Sequence, residues 1–502
     1  MNSVPSLTCA RRVLVALAAI VGVLFTAACG SGSGSRITPL GGSFSRASLK
    51  GQYVMAHTGT AVNQSGTSAD PFSETLVFTA DGAGNLTVTV DDFDQDGQFL
   101  NPTLPETGTY AISSDGTGSI SVGGASYAIT MIDDGHFYVM EQDGGATSSG
   151  YGELQDTTAF TAPPSGNYVF KSHKVTAIAV NPSARVGGIT IAAGAISGTE
   201  DLLDLGTPST SVAVSSSVAM TTPNTSGEGS FTLSDGTSFN YYVVNSSKFH
   251  FMANNGSLEI GMAEAQSGSF SLATLAAGTS YVFGSSGDTS VSGSQGIHSA
   301  GVFTVDGAGN VTTGTVDFVQ DTVVNSGLAV TSGAYTLAAS GRGTLNLTLS
   351  GGTISPQIFW MVNSSRAYFL VNSGAAVEDG IYTMQTGGPF SALTSQAAFS
   401  MDGFDSNGFK DRVGIFDPTG TGTFKWNQTS NSFLPSALFG AVSTLGTTGT
   451  YQVSANGRVT ALVNNVNVAT PGMAFYLSSP NTGVMVEEDS NVGGTFAQQA
   501  TQ

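Results

Sequence analysis

Apolar and polar residues alternate over short stretches along the chain, and glycine, aspartate and asparagine separate these stretches. A period of two is typical of β-strands that have one buried face. Phe137-Tyr138-Val139-Met140 is instead a continuous apolar run, which predicts a strand buried on both faces. In residues 44–155 the pattern predicts strands near 51–57, 74–80, 85–91, 107–113, 118–122, 125–132, 136–142 and 149–155.

The same pattern recurs along the chain. The segment Phe78 to Asn85 (FTADGAGN) returns 225 residues later as Phe303 to Asn310 (FTVDGAGN), and Gly108-Thr109-Tyr110 returns at the same offset as Gly333-Ala334-Tyr335. Weaker copies lie about half that distance apart. Repetition at a fixed period is typical of tandem structural units.

These repeats divide the chain into domains of about 110 residues. Each copy opens after a Phe-Ser or Phe-Thr pair and closes on a segment that runs from Gly to Gln. The connectors are only a few residues long, so we expect the domains to stand in a semi-rigid row. The predicted segments are a signal peptide at 1–28, a lipidated cysteine and flexible tether at 29–43, and β repeats at 44–155, 160–266, 270–385 and 390–499.

The predicted fold class is all-β, with four tandem antiparallel domains of eight strands each. Such a chain closes into an up-and-down barrel or, alternatively, folds as a β-sandwich. The first copy starts with Gly51-Gln52-Tyr53 and the second with Gly166-Asn167-Tyr168. This Gly-x-Tyr start, the eight-strand meander and the domain length resemble the calycin group of lipocalins and avidins, whose first strand commonly carries Gly-x-Trp. The resemblance implies up-and-down barrels.

The first thirty residues have the features of an export signal. Arg11-Arg12 precede an apolar stretch from Val13 to Ala28, which is shorter than the ~20 residues of a membrane-spanning helix. The stretch ends in Thr26-Ala27-Ala28-Cys29-Gly30. This end resembles the lipobox of bacterial lipoproteins, and the resemblance implies a lipidated Cys29. No acidic residue directly follows Cys29, which resembles the pattern of outer-membrane lipoproteins and implies an outer-membrane or cell-surface location. Ordinary cleavage after Ala28 and an uncleaved anchor are the alternatives.

Composition narrows the choice of partners. The formal net charge is −20, and charged residues make up 10% of the chain, against a typical ~25%. Nucleic acids and anionic lipids require clustered Lys and Arg, so neither is an expected partner. The expected partners are the membrane, through the lipid anchor, and an envelope or surface protein. The cysteines are Cys9 and Cys29, which leaves the folded part without a thiol nucleophile or a disulfide framework.

One segment carries a calcium-like pattern. Asp92, Asp94 and Asp96 alternate and are followed by Gly97, as at the start of an EF-hand loop, where carboxylates converge on one cation. The twelfth position is Thr103 rather than the bidentate Glu. The sequence thus offers a candidate calcium site and, as its alternative, a solvated acidic hairpin.

No catalytic motif emerges from the sequence, and no cofactor is expected apart from this calcium. The histidines show no H-x-x-x-H spacing, and no serine stands in a G-x-S-x-G elbow between a strand and a helix. We therefore expect a non-enzymatic cell-envelope lipoprotein whose β domains form a structural or interaction array. The alternatives are a carrier of small apolar ligands inside the barrels and an extracellular hydrolase.

Overall fold

The computed structural model describes residues 40–500 except 64–65, 67, 101–103, 175–181, 205–206, 290–295, 321–322, 373–375, 406–407, 434–439, 465–471 and 489. Strands dominate the described part. Its helices are single-turn 3₁₀ segments at Arg46–Ser48, Thr157–Thr161 and Leu272–Thr274. None of the helices in these ranges is long and apolar enough to cross a membrane.

The first two copies contain strands β1 to β17. Barrel 1 comprises β1 Lys50–Val62, β2 Ala69–Asp81, β3 Asn85–Gln95, β4 Gln98–Leu100, β5 Glu106–Ile112, β6 Thr117–Val122, β7 Ala125–Asp133, β8 His136–Glu141 and β9 Ala146–Leu154. Barrel 2 comprises β10 Gly166–Lys174, β11 Ser183–Ala192, β12 Ala195–Asp204, β13 Thr207–Val218, β14 Glu228–Leu233, β15 Ser238–Asn245, β16 Lys248–Ala253 and β17 Glu259–Ala265.

The last two copies contain β18 to β34. Barrel 3 comprises β18 Ser280–Thr289, β19 Gly296–Val305, β20 Asn310–Gln320, β21 Val323–Leu337, β22 Arg342–Leu349, β23 Gly352–Thr353, β24 Gln357–Asn363, β25 Arg366–Val371 and β26 Ala376–Met384. Barrel 4 comprises β27 Ala397–Asp405, β28 Gly408–Pro418, β29 Thr423–Phe433, β30 Gly440–Val453, β31 Arg458–Asn464, β32 Gly472–Ser479, β33 Thr482–Glu487 and β34 Asn491–Gln498.

Each copy is a closed antiparallel barrel of eight strands, in which the first strand pairs with both the second and the last. Barrels 1 and 3 carry one extra short strand each, β4 on β3 and β23 on β22. The predicted all-β fold class is therefore confirmed. Of the two predicted architectures, the domains adopt the barrel and not the β-sandwich. Asp96 and Gly97 both have positive φ, at 50° and 76°, in the hairpin between β3 and β4. Asp and Gly tolerate this conformation well.

Side chains alternate along each strand between the barrel interior and the outer face, and the inward-facing ones fill the barrel. On β1, Tyr53 and Met55 point inward and pack against Phe78 and Phe137 in the core of barrel 1, where all four are buried. The intervening Val54 points outward, yet it is also fully buried, because a second barrel covers that face. Strands buried on both faces read as continuous apolar runs. The run at Phe137 to Met140 was predicted to be such a strand, and all four of its residues are buried.

Outward-facing apolar residues join the barrels into a closed ring. Strands at the start of one barrel pack against strands near the end of the next, and barrel 4 packs against barrel 1 in the same way. Burial of a Val, Leu or Phe contributes about 1.5–3 kcal/mol. The outer clusters are Val54, Val77, Val90, Tyr242, Val244, Met252 and Ile260 (barrels 1 and 2), Val169, Val186, Leu203, Ile358, Trp360 and Leu370 (2 and 3), Val282, Val302, Val319, Ala474, Tyr476 and Val486 (3 and 4), and Ala398, Val413, Ala128, Ile132, Tyr138 and Met140 (4 and 1).

A glutamine after the last strand of each barrel fastens it to the next. Its Nε2 donates hydrogen bonds to two backbone carbonyls there, and the fourth of these glutamines returns to barrel 1. The bonds run from Gln155 to Ser226 and Val243 (3.3 and 2.6 Å), from Gln266 to Ser340 and Met361 (3.0 and 2.8 Å), from Gln385 to Asn456 and Leu477 (2.9 and 2.7 Å), and from Gln499 to Asp115 and Met131 (3.0 and 2.7 Å).

A glycine makes room for each of these glutamines. Gly116, Gly227, Gly341 and Gly457 have φ between 76° and 89°, and a Cβ at any of them would lie 2.6–2.8 Å from the glutamine nitrogen. The expected row of domains is therefore wrong. The head-to-tail interface repeats four times and closes on itself, as heterologous contacts do when their rotations complete a turn.

Candidate functional site

Buried polar contacts accompany the apolar clusters between barrels. On the third strand of barrels 1, 2 and 3, an aspartate accepts a hydrogen bond from an aromatic side chain of the next barrel. The pairs are Asp92 with Tyr242 Oη, Asp201 with Trp360 Nε1 at 2.8 Å, and Asp317 with Tyr476 Oη. All three aspartates are buried. A buried carboxylate without such donors would destabilise the fold, so these pairs specify how the barrels meet.

Arginines reinforce two of the three contacts. Arg342 binds both carboxylate oxygens of Asp201, with Nη2 to Oδ1 at 2.7 Å and Nε to Oδ2 at 2.9 Å, and Arg458 binds Asp317 in the same bidentate way. The strand register identifies the equivalent residues at the interface between barrels 4 and 1. Thr429 of barrel 4 takes the place of the aspartate, and Thr130 of barrel 1 takes the place of the aromatic residue. The closing interface therefore lacks this ion pair.

A cluster of ionisable groups lies where three barrels approach one another. Lys171 of barrel 2 forms an ion pair with Asp379 of barrel 3, at 2.7 Å. Burial raises the pKa of Asp402 in barrel 4 to about 6, while the charge on Lys171 lowers it and the charges on Asp288 and Asp379 raise it. Barrels 2 and 4 are not neighbours in the ring, so their coupling places this cluster at its centre.

Asp411 belongs to the same region. Burial raises its pKa to about 7, a hydrogen bond from Thr147 lowers it, and the charge on Asp402 raises it further. The hydrogen bond joins Thr147 Oγ1 of barrel 1 to Asp411 Oδ2 of barrel 4 at 2.6 Å. Burial therefore raises the pKa values of two neighbouring acids, Asp402 and Asp411, in this region of the ring.

Each barrel also has buried polar residues in its interior, at one level that we call the polar layer. In barrel 2 it contains Arg185, whose Nε lies 3.4 Å from Glu259 and whose Nη1 lies 3.6 Å from Glu200. Burial raises the pKa of Glu200 to about 7, and the charge on Arg185 opposes the rise. In barrel 4, Arg412 Nη1 binds Glu487 Oε1 at 2.7 Å.

Barrel 3 has a polar layer built around one acid. Glu378 accepts hydrogen bonds from the hydroxyl groups of Ser285 and Ser299, the second at 2.8 Å. Burial raises the pKa of Glu378, and the two hydroxyl donors oppose that rise. The buried carboxylate of barrel 3 is therefore more readily neutralised by a proton than an exposed glutamate.

Barrel 1 has a different polar layer. His57, Glu74 and Glu141 are 1%, 2% and 0% exposed, and each offers one ligand atom such that the three atoms lie within 4.8 Å of one another. His57 Nε2 is 3.1 Å from Glu74 Oε2, and His57 Nδ1 is 3.0 Å from Ser148 Oγ. The ring of Tyr127 stands edge-on to that of His57, and its hydroxyl donates to Glu74 at 3.2 Å. Imidazole and carboxylate groups in this arrangement are able to bind a divalent transition metal ion.

The sequence-predicted site residues lie in different surroundings. Cys29 lies outside the described residues. Asp92 and Asp94 are buried against barrel 2, where Asn240 also donates to Asp92 at 2.6 Å, and Asp96 is exposed in the hairpin. Burial raises the pKa of Asp94 to about 6. Calcium binding by these three aspartates stays a prediction.

Comparison with known proteins adds little to this description. No protein-family model matches the chain, and no curated protein matches it. Among solved structures, it is similar to a double mutant of the vaccine antigen transferrin binding protein B from Haemophilus parasuis Hp5, with 9% sequence identity. That likeness covers 94% of this chain and 99% of the other and has a TM-score of 0.18.

The cavities inside barrels 2 and 3 are small. A cavity inside barrel 2 that Phe170, Phe231 and Phe251 help to line has a volume of about 30 Å³, and one inside barrel 3 has about 10 Å³. Pockets for small ligands typically measure about 300–1,000 Å³. A larger groove of about 490 Å³ lies outside the barrels, where the connector from barrel 3 meets barrel 4 near Gln385 and Asn456.

Sequence reasoning missed the His57 site because its three residues belong to β1, β2 and β8 and share no local spacing. A signal was nevertheless present. His57 continues the inward phase of Tyr53 and Met55 on a strand whose alternate residues fill the core. An ionisable residue in the buried phase of a strand requires a partner inside the barrel.

Proposed function

We propose that this protein is a non-enzymatic lipoprotein of the bacterial cell envelope, anchored through Cys29, whose four barrels form a rigid scaffold that presents its outer surface to another envelope protein. The closed ring is the observation that carries this proposal. The features that the copies share, the terminal glutamines and the glycines beneath them, are used to join barrel to barrel rather than to build a repeated binding site.

The barrel interiors favour a scaffold over a carrier. The cavities in barrels 2 and 3 are smaller than a typical apolar ligand, because aromatic side chains pack into these cores. The outer rim, by contrast, carries exposed apolar side chains on the fourth strands of barrels 2, 3 and 4. They include Val218, Val323 and Val442, which are 54%, 60% and 41% exposed. We take these residues as the contact points of the proposed partner.

Lipid labelling tests the anchor. The full chain, expressed in a Gram-negative host fed an alkyne-tagged fatty acid, is expected to incorporate the tag and to sediment with membranes. Cys29→Ser is expected to lose both properties, and Cys9→Ser, the matched control, to keep them. A Cys29→Ser chain that still carries the lipid would refute anchoring through this residue.

Site-specific photo-crosslinking on intact cells tests the scaffold. A crosslinker at position 218, 323 or 442 is expected to capture one and the same envelope protein, and a crosslinker at buried Val54 none. Different products at each rim position, or the same product at Val54, would contradict a defined interaction surface.

A further inference from the structure

We propose that the polar layer of barrel 1 is a metal site, in which His57, Glu74 and Glu141 bind one divalent transition metal ion of the zinc class. Nothing in the scaffold proposal requires this site, and the two stand or fall separately. The geometry of the three side chains and the differences between barrel 1 and the other three barrels both support this site.

Barrel 1 differs from the other barrels at one register position on its second strand. Glu74 faces His57 across the first two strands. The same register position is occupied by Arg185 in barrel 2, Ser299 in barrel 3 and Arg412 in barrel 4. In barrels 2 and 4 the arginine therefore provides the positive charge that a buried carboxylate requires. Barrel 1 has a second carboxylate, Glu74, at this position instead of a cation. The metal ion that we propose would supply the positive charge.

A divalent cation would balance the layer. Two ionised glutamates and a neutral imidazole carry a charge of −2, which one M²⁺ ion neutralises. Glu141 adds the third ligand from β8, and its register equivalent in barrel 4 is Glu487, the partner of Arg412. Barrels 1 and 4 thus place a carboxylate at the same point and differ in the cation that faces it.

The local geometry favours coordination over a simple ion pair. His57 Nε2 lies 3.1 Å from Glu74 Oε2, and Nε2 forms no hydrogen bond. Bond lengths of about 2.0–2.2 Å to a tetrahedral zinc ion place neighbouring ligand atoms about 3.3–3.6 Å apart. The observed separation is therefore close to that of two ligands of one ion.

The surroundings orient the ligands. Ser148 Oγ accepts a hydrogen bond from the Glu141 backbone N–H at 3.2 Å, and it lies 3.0 Å from His57 Nδ1. A proton on Nδ1 leaves the lone pair of Nε2 available for a metal. The Tyr127 hydroxyl holds Glu74 from the other side. Outer contacts of this kind fix the tautomer and the ring orientation of metal-binding histidines.

The ligand set selects the ion. Calcium takes oxygen ligands, whereas zinc combines imidazole nitrogen with carboxylate oxygen. Three protein ligands leave one tetrahedral position for a small molecule such as water. Because the ligands are at most 2% exposed, the ion enters as the barrel folds and acts to stabilise barrel 1 rather than to process a substrate.

The test is metal analysis of the full chain after refolding from urea with zinc or cobalt, followed by gel filtration. We expect about one zinc per chain, a visible cobalt absorption spectrum typical of nitrogen and oxygen ligation in a tetrahedral site, and a higher Tm with metal than after refolding with a chelator. Wild-type chain that refolds in zinc and carries none would overturn the proposal without any variant.

Matched variants locate the ion. His57→Gln and Glu141→Gln are each expected to reduce bound zinc more than about tenfold and to abolish the cobalt spectrum. Two controls should keep both signals: His136→Gln removes an exposed histidine that lies beside Asp133, and Glu487→Gln alters the equivalent acid of barrel 4. Loss of zinc in His136→Gln, with retention in His57→Gln, would place the ion on the surface and refute the internal site.

Discussion

Asp411→Asn is expected to stabilise the protein at alkaline pH and to have little effect in acid. Asp411 is 7% exposed, and burial raises its pKa from 3.8 to about 7. A group whose pKa is raised on folding contributes stability that is complete below its unfolded pKa, near 4, and is lost as the pH rises through 7. Above that pH, Asp411 is ionised in both states. Its charge is buried in the folded chain, whereas water solvates it in the unfolded chain.

The shift sets the size of the effect. A difference of about three pKa units corresponds to about 4 kcal/mol, at roughly 1.4 kcal/mol per unit. Asparagine cannot ionise, and its carbonyl oxygen is still able to accept the hydrogen bond from Thr147 that the carboxylate accepts at 2.6 Å. We therefore expect the variant to gain up to about 4 kcal/mol in free energy of unfolding at pH 8.5, and about zero at pH 4.

The assay is urea unfolding at pH 4, 5 and 8.5, followed by tryptophan fluorescence, since Trp426 is buried in the core of barrel 4. Asp81→Asn is the control, because hydrogen bonds from Asn85 and the turn backbone lower the pKa of exposed Asp81 to about 2. Its contribution is present above pH 4 and lost only as the pH falls through 2, so its effect should be equal at pH 5 and 8.5. An Asp411→Asn midpoint that shifts equally at pH 4 and 8.5 would refute the reasoning.

Three further predictions concern the interfaces and the calcium hypothesis. Gln499→Leu removes the donor to two buried carbonyls and is expected to lower the free energy of unfolding by about 1–3 kcal/mol. Urea titration measures this loss, and an equal loss in Gln266→Leu would show that the ring-closing contact is as strong as the contact between barrels 2 and 3. Arg342→Met leaves fully buried Asp201 without its bidentate partner, and we expect a loss of about 3–5 kcal/mol in the same assay. If the aspartate hairpin binds calcium, added CaCl₂ raises the Tm of the wild type but not of Asp96→Asn; an unchanged wild-type Tm would leave the hairpin without a metal.

The barrels were predictable because their determinants are local. The alternation of apolar and polar residues determines which side chains face the core. Asp-Gly pairs such as Asp96-Gly97 determine where hairpin turns occur. Even the double burial of Phe137 to Met140 was visible as a continuous apolar run. The recurrence of these local signals established the number of copies.

The ring and the proposed metal site were not predictable, because both depend on contacts between distant residues. The bond from Gln499 to Met131 spans 368 residues, and nothing in the sequence near either residue indicates the other. His57 and Glu74 pair across a hairpin, but Glu141 reaches them only through barrel closure. The glutamines that recur at the end of each copy build the interfaces between barrels, a role that their local sequence does not indicate.

The closing contact at Gln499 also restricts how this protein can change its length. An open string of repeats gains or loses a unit with little effect on the others, because each unit touches only its neighbours. A ring built from one repeated interface has a fixed copy number, since each interface supplies a quarter of the full turn. Deletion or duplication of one barrel would leave an apolar face such as that of Val413 and Ala398 exposed. Loss or gain of one barrel is therefore expected to destabilise the whole ring, whereas a change of sequence within one barrel leaves the number of interfaces intact.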